Sequence, residues 1–447
     1  MKWKKIKLGE VIFKKNLRMK DAPEIIDPLV LGVTNNEGVV ISKVEAGQKI
    51  EDYFIVNKGD FVYNPYRINV GSIGISEYDG ITSLAYVVFN VDEDKINKYL
   101  LFKFLKSEFG VKEIIKNGRG SVRNALRFDD LSKIEIYLPP IEVQNTFIEN
   151  FKKQEYKSNL LNRQLSHQLT LLDQLNQAIL QEAVQGKLVP QDPNDEPASE
   201  LLKRIKAEKL NGSDPSGRRK KEKPLPPIKP EEIPFEIPEN WVWCRLGEVA
   251  DNVEYGTSQK AEMTRDDIPV LRMNNIQSGK LDLSNLKYVS RMIDDLPRLY
   301  LKDGDLLFNR TNSYELVGKT AVYRGSNDSM TFASYIIRVQ FYKEIISEFI
   351  SNYINSPICR ETQLEPEIIQ QNGQANFNGT KLKNILVPLP PLSEQKRIVA
   401  EIERQLAQTK QLKEHIIANQ AATEQLLKAL LHQAFEVKEN EEHLAKA

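Results

Sequence analysis

Hydrophobic and polar positions follow two different rhythms along this chain. Short apolar runs bounded by Gly, Asn and Asp, such as Phe61-Val62-Tyr63, Ala85 to Phe89, Leu306-Leu307-Phe308 and Tyr335 to Val339, predict strands closed by turns. Stretches such as Lys98 to Ser107 add short helices, so these regions read as mixed α/β globules. The second rhythm starts after Pro139-Pro140 and again after Pro390-Pro391, where about 45 residues run without a helix breaker. In the first stretch a 4,3 ladder passes through Phe147, Phe151, Gln154, Ser158, Leu161, Leu165, Gln168, Leu172, Leu175 and Ile179. Adding 251 gives Ile398, Ile402, Gln405, Thr409, Leu412, Ile416, Asn419, Thr423, Leu426 and Leu430, with the polar rungs in matching places. A period of 3.5 residues predicts two long helices joined by a coiled-coil seam, in which polar rungs give up stability to set register and partner. Antiparallel pairing would put opposite one another residues whose numbers add to 577, such as Phe147 and Leu430. Parallel pairing would match polar to polar equally well, so the ladder leaves the direction open.

The repetition extends beyond the helices. Leu8-Gly9-Glu10-Val11 recurs as Leu246-Gly247-Glu248-Val249, and Gly59-Asp60 with Asn64 recurs as Gly304-Asp305 with Asn309. Leu131 to Gln144 (LSKIEIYLPPIEVQ) recurs as Leu382 to Gln395 (LKNILVPLPPLSEQ). The offset drifts from 238 to 251, as loop insertions in one copy would produce. The organisation expected is a globule over 1–138, a long helix over 139–187, a Pro-rich charged linker with a short helix over 188–240, a second globule over 241–389, a second long helix over 390–436 and a tail over 437–447. The run Arg218 to Lys223 (RRKKEK) in the linker reads as a solvated hinge that could also touch phosphate.

Composition narrows the function by exclusion. The 447 residues suit two to four domains, and 62 Lys plus Arg balance 62 Asp plus Glu, so nucleic-acid binding would need local patches. No 18-residue apolar run is present and no signal-peptide core follows the basic start, which predicts a soluble cytoplasmic chain without membrane partners. Two cysteines, Cys244 and Cys359, fit a reducing compartment. Gly318-Lys319-Thr320 lacks the upstream glycine of a phosphate loop, since position 313 is Ser313. Asn64-Pro65-Tyr66 reads as a turn, and the four histidines (167, 415, 432 and 443) and two cysteines lack metal-ligand spacing. No catalytic residue and no metal site is expected.

The repeated LPP-x3-Q entry to a long helix, the turns NKGDFVYN and KDGDLLFNRT, the segment LNQAILQEAVQGKLVPQDPNDEPASELLKRI and the restart PFEIPENWVWCRLGEV together resemble the specificity subunit of type I restriction-modification enzymes. The resemblance spans nearly the whole chain. It implies two homologous target-recognition domains in a mixed α/β (α+β) fold, separated by two long antiparallel coiled-coil helices with pseudo-two-fold symmetry. It also implies a non-catalytic subunit that reads a bipartite site on double-stranded DNA. Methyltransferase (M) subunits would bring S-adenosylmethionine, and restriction (R) motor-nuclease subunits would bring ATP and Mg.

Arg and Lys suit phosphate and guanine, Asn and Gln suit adenine, and aromatics stack. Loops rich in these groups are therefore the candidate DNA-binding segments: Tyr63, Asn64, Tyr66, Arg67 and Asn69, with Asn117, Arg119, Ser121, Arg123 and Asn124, in the first globule. In the second they are Arg272, Asn274, Asn275, Asn309, Arg310, Asn312 and Tyr314, with Gln371, Asn372, Gln374 and Asn376. The alternative is a coiled-coil interaction scaffold that does not read DNA, for which the same residues are ordinary polar turns.

Overall fold

A computed structural model describes residues 3–22, 27–43, 49–119, 125–211, 224–263, 267–371 and 373–435. The chain divides into two units, Met1–His167 with Ile416–Ala447, and Gln168–His415. The basic run 218–223 and the tail 437–447 lie outside the described residues.

Each unit carries the same framework. In the first, an antiparallel sheet has the order Ile12–Lys15, Val87–Val91, Phe61–Tyr63, Ile73–Ile75. In the second, the order is Ala250–Tyr255, Ile336–Phe341, Leu306–Asn309, Thr320–Val322. A two-stranded ribbon accompanies each sheet, Lys4–Lys7 on Glu135–Leu138 and Val242–Arg245 on Leu386–Leu389. The repeated motifs now have physical reasons. Glu10 accepts the Lys7 N–H at 2.9 Å and Glu248 accepts that of Arg245 at 2.7 Å, so the LGE(V) glutamate closes the turn after the first ribbon strand. Gly59 (φ 96°) and Gly304 (φ 89°) occupy the left-handed region that excludes most side chains. The following buried aspartates accept backbone N–H groups three residues back, Asn57 at 2.7 Å and Lys302 at 2.9 Å. Asp60 then pairs with Lys15, at the end of the sheet's edge strand, and Asp305 with Arg338.

The LPP-x3-Q glutamines anchor the long helices, Ile141–Val184 and Leu392–Phe435. Buried Gln144 donates to the carbonyls of Pro139 at 2.8 Å and Lys95 at 3.1 Å and accepts from the Asn97 N–H at 2.9 Å. Gln395, also buried, donates to Pro390 O at 3.0 Å and accepts from Ile346 N–H at 2.9 Å. Asn97 and Ile346 are the N-caps of the helices Lys98–Lys106 and Ser347–Asn355, so one side chain in each unit ties the long helix to the first helix of its globule.

Two expectations change. Much of the segment 188–240 is a packed part of the second unit. The helix Ala198–Asn211 presents Ala198, Leu201, Leu202 and Ile205 to the core, an i, i+3, i+4, i+7 face. Further on, buried Arg245 gathers the carbonyls of Pro226 and Pro227, using the acceptors that proline keeps despite lacking an N–H.

The seam also shifts. Phe151, Ser158, Leu165, Leu172 and Ile179 are buried as the spacing predicts, and so are Ile398, Ile402, Thr409 and Ile416, with Thr423 and Leu430 half-buried. The alternate rungs fall one residue later, on Ile148, Glu155, Asn162, Leu169 and Asn176 rather than Phe147, Gln154, Leu161, Gln168 and Leu175. Likewise Leu406, Gln420 and Leu427 are half-buried, while Asn419 and Leu426 are exposed; Gln405 is half-buried beside Leu406. Leu161, Leu175, Leu412 and Leu426 stand 42%, 47%, 51% and 60% exposed. A 3.5-residue ladder fixes a period, and two ladders one residue apart share it. Polar pairing selects the phase: the Thr409 hydroxyl donates to Asn176 Oδ1 at 2.7 Å. Lys413 reaches Asp173 at 3.4 Å, so within the second unit one number rises as the other falls and the helices are antiparallel. In the first unit Gln420 donates to Ser166 at 3.1 Å. The numbers in these pairs add to 585 or 586, which corrects the expected 577.

Two outcomes follow. Gln144→Leu and Gln395→Leu each strand a buried N–H and carbonyl, and each should lower stability by about 1–3 kcal/mol in urea or thermal unfolding. A double-mutant cycle of Asn176→Ala with Thr409→Ala should show coupling of about 0.5–1.5 kcal/mol, whereas Gln154→Ala with Thr423→Ala should show none.

Candidate nucleic-acid interface

In the first unit the sheet strand Phe61–Tyr63 runs into a loop shaped by Asn64. Its Oδ1 accepts the Tyr66 N–H at 2.9 Å and its carbonyl accepts the Arg67 N–H at 3.0 Å, so an Asx turn lifts the Tyr66 and Arg67 side chains outward. Tyr66 is 60% exposed and Arg67 is exposed, while Asn64 and Asn69 are half-buried. Gly71 (φ 92°) closes the loop. Tyr63 lies elsewhere: it is fully buried, its hydroxyl donates to Leu126 O at 3.1 Å, and burial pushes its pKa up. It is a core residue without surface to offer a ligand.

The second predicted segment comes to the same place. Leu126 N–H donates to Pro65 O at 2.9 Å, and Arg119 and Ala125 exchange two backbone hydrogen bonds, at 3.0 and 2.9 Å. Arg119 spends its guanidinium on Asp130 at 2.5 and 3.0 Å. Burial opposes the charged form of Asp130, but hydrogen bonds from Lys133 and Arg119 outweigh it and hold the pKa below the usual carboxylate value. Asn117 folds back to donate to Glu113 O at 2.9 Å. Ser121, Arg123 and Asn124 lie outside the described residues.

In the second unit three segments converge. Asn309 is buried and donates to Met273 O at 3.0 Å, which ties the strand end to the Arg272–Asn275 turn. Asn275, buried too, donates to Asp282 O at 2.8 Å and Asn285 O at 3.1 Å and accepts from Arg272 N–H at 2.9 Å. Asn309 and Asn275 are therefore braces, and Asn274 is the exposed member of that turn. The strand Thr311–Asn312 pairs with Gln374–Asn376, which pairs with Ile369–Gln371, and the Thr311 hydroxyl donates to Asn376 Oδ1 at 2.8 Å. Gln374 is exposed, Asn312 and Tyr314 are half-buried, and Asn372 and the Gln371 side chain lie outside the described residues.

Arg310 sits at the centre of this arrangement. Its guanidinium lies 4.9 Å over the Tyr255 ring, one nitrogen donates to Ser334 O at 3.3 Å, and its backbone is held by Tyr335 and Phe377. Arg310 Nε, Arg272 Nε and Asn309 Oδ1 are buried without a hydrogen-bond partner among the described residues. Sequence reasoning missed Tyr255, Tyr335 and two cations. Lys319 is half-buried, with its pKa pushed down by burial and then by Arg360. Arg360 lies 5.4 Å over the Tyr314 ring and donates to Tyr314 O at 2.5 Å. Gly318-Lys319-Thr320 is the signal for Lys319 in the sequence, but without the upstream glycine of a phosphate loop nothing local marks that lysine as part of a site. Among the described residues no cluster of His, Cys, Asp or Glu could hold a metal ion, and no helix is long and apolar enough to cross a membrane.

These groups can hold phosphate and read polar edges. The burial difference sets an expectation: Tyr63→Ala should cost about 3–5 kcal/mol in thermal or urea unfolding, whereas Tyr66→Ala and Arg67→Ala should each change stability by less than about 0.5 kcal/mol.

Comparisons with known proteins agree on one family. Residues 1–171 and 238–419 match the type I restriction modification DNA specificity domain. The EcoAI specificity subunit of Escherichia coli is 37% identical over 246 residues, 54% of this chain and 41% of that protein. The EcoEI specificity subunit of the same species is 33% identical over 264 residues, 58% of this chain and 44% of that protein. The aligned region thus spans less than half the length of these relatives. A solved chain from work on complex assembly and conformational transition of the type I R-M system superposes with a TM-score of 0.69, at 19% identity over 97% of both chains. The HsdS subunit of Thermoanaerobacter tengcongensis gives 0.56, at 18% identity over 97% of this chain and 96% of that one. At such identities the likeness is one of fold.

Proposed function

The chain belongs to the type I restriction modification DNA specificity domain family, and from that premise we propose that it is the non-catalytic reader of a bipartite site on double-stranded DNA. One observation carries the reading. Each duplicated globule ends a sheet strand in a loop cluster that presents Arg with aromatic and amide groups, Arg67 with Tyr66 in one and Arg310 with Tyr255 and Gln374 in the other. Arg on phosphate supplies affinity, and Arg or Gln at base edges supplies sequence.

Chemistry on the DNA then falls to partners. Methyltransferase subunits bring S-adenosylmethionine, and restriction subunits bring ATP and Mg. The exposed leucines beside the helix seam, Leu161 and Leu426 in the first unit and Leu175 and Leu412 in the second, suit the docking of further helices. Within this chain Cys244 and Cys359 are buried with their thiols pushed up by burial, which fits a role in packing rather than as nucleophiles.

The decisive measurement maps methylated bases in DNA from cells carrying this chain with a methyltransferase partner. Exchanging residues 1–138 for the corresponding part of a relative should replace one half-site and keep the other. Arg310→Ala should relax the opposite half-site alone. Loss of both half-sites from either change, or S-adenosylmethionine turnover by the purified chain alone, would overturn the proposal.

A further inference from the structure

The duplication supplies a reference that exposes a difference between the two units. In the second unit the start of the long helix is covered by the chain's own segment. Glu394 accepts from Gln191 at 2.5 Å and from the Trp241 indole at 2.9 Å. Arg397 pairs with Asp195 at 2.6 Å, to which Ser393 also donates. Trp241 packs edge-on against Phe349 at 5.9 Å. Subtracting 251 along the helix turns Ser393, Glu394, Arg397 and Ile398 into Glu142, Val143, Thr146 and Phe147 of the first unit.

Among the described residues no segment covers the same face there. Two adjoining hollows share Val143 and Phe147. One, of about 230 Å³, is lined by Trp3, Leu100, Tyr137 and Phe435 among others, and the second extends along Glu142, Thr146 and Asn150. Trp3 stands where the second unit has Trp241, but the three helix groups that grip the covering segment have changed character: the buried acid is a valine, the arginine is a threonine, and the serine that meets Asp195 is a glutamate.

The sequence beyond Phe435 does not repeat the covering segment. Gly186 turns the chain after the first long helix with φ 72°, and Val437 stands at the matching position, with Glu439 and Asn440 in place of Leu188 and Val189. Residues 436–447 lie outside the described ones. In a second copy of the chain the segment 191–195 is already engaged with its own Glu394 and Arg397. We propose that this face of the first unit is a docking groove for an extended segment of a different protein, one that sets aliphatic side chains over Val143 and a basic side chain beside Glu142. The valine selects an apolar anchor because it cannot satisfy an amide N–H such as that of Gln191, and the glutamate selects the opposite charge.

The test uses the full chain and a labelled 12-residue peptide copying 186–197, with Gln191→Leu and Asp195→Lys to suit the first unit. Fluorescence anisotropy should show this peptide binding at least tenfold more tightly than the unaltered sequence. Val143→Glu, which recreates the second unit's acid, should weaken it at least tenfold while the chain still melts cooperatively; Thr146→Arg gives a second variant if that one fails to fold. Equal binding of the two peptides, or binding indifferent to these substitutions, would overturn the proposal. Removing residues 436–447 and gaining tenfold in peptide affinity would assign the groove to the chain's own tail. A dimer in sedimentation that Val143→Glu dissolves would assign it to a second copy, and either result would overturn the proposal. No DNA enters the experiment, so its outcome is separate from that of the reading function.

Discussion

Each half of this protein depends on one buried amide. A helix of 44 residues has no intrinsic reason to keep a fixed direction relative to a small globule, because its own hydrogen bonds close within it. Gln144 and Gln395 supply that reason. Each uses both ends of its amide, donating to a carbonyl of the Pro-Pro entry and accepting from the N-cap of the adjacent short helix. Because the amide is out of water, a broken bond is not replaced by solvent, and the junction behaves as a rigid joint. The loops that carry Arg67 and Arg310 are thus held at a fixed distance from a helix through the sheets between them.

Much of this was legible in the sequence, and the physical reasons for the rest are specific. Repeated motifs such as Leu8-Gly9-Glu10 and Gly59-Asp60 identify two equal frameworks, because each repeats a local bond that needs those residue types. The helix seam was legible as a period and not as a phase. Leu161 and Leu175 attract an apolar reading, whereas the interface is chosen by the Asn176 to Thr409 bond, a pairing between residues far apart in sequence. The proline-rich stretch misled for a related reason. Proline disfavours helix interiors and central strands yet leaves carbonyls that Arg245 collects, and nothing local announces that acceptor role.

The candidate interface shows the same division. Composition picks out loops rich in Arg, Asn and Tyr, but it cannot separate the members that brace a loop from those that it displays. Tyr63, Asn275 and Asn309 brace, as their burial and backbone bonds show, and Tyr66, Arg67, Asn274 and Gln374 are displayed. The distinction rests on which neighbouring carbonyl lies within reach, and that is a property of the assembled fold. Lys319 and Arg360 show the converse, being gathered into the cluster by the strands around them rather than by any shared motif.

The division of the chain into a continuous unit and a split one bears on the order in which it is made. The second unit runs without interruption from Gln168 to His415, so every residue of its core is available before the last helix is finished. The first unit begins at Met1 but takes its final pieces from beyond Ile416, including Phe435 against Phe104 and His432 against Phe109. Synthesis from the N-terminus usually favours the first domain. Here the first globule emerges early and waits with an apolar edge unfilled, and the second can close first. The last turns of the second long helix then complete a structure begun more than 400 residues earlier, so that the globule started first is finished after the one started second.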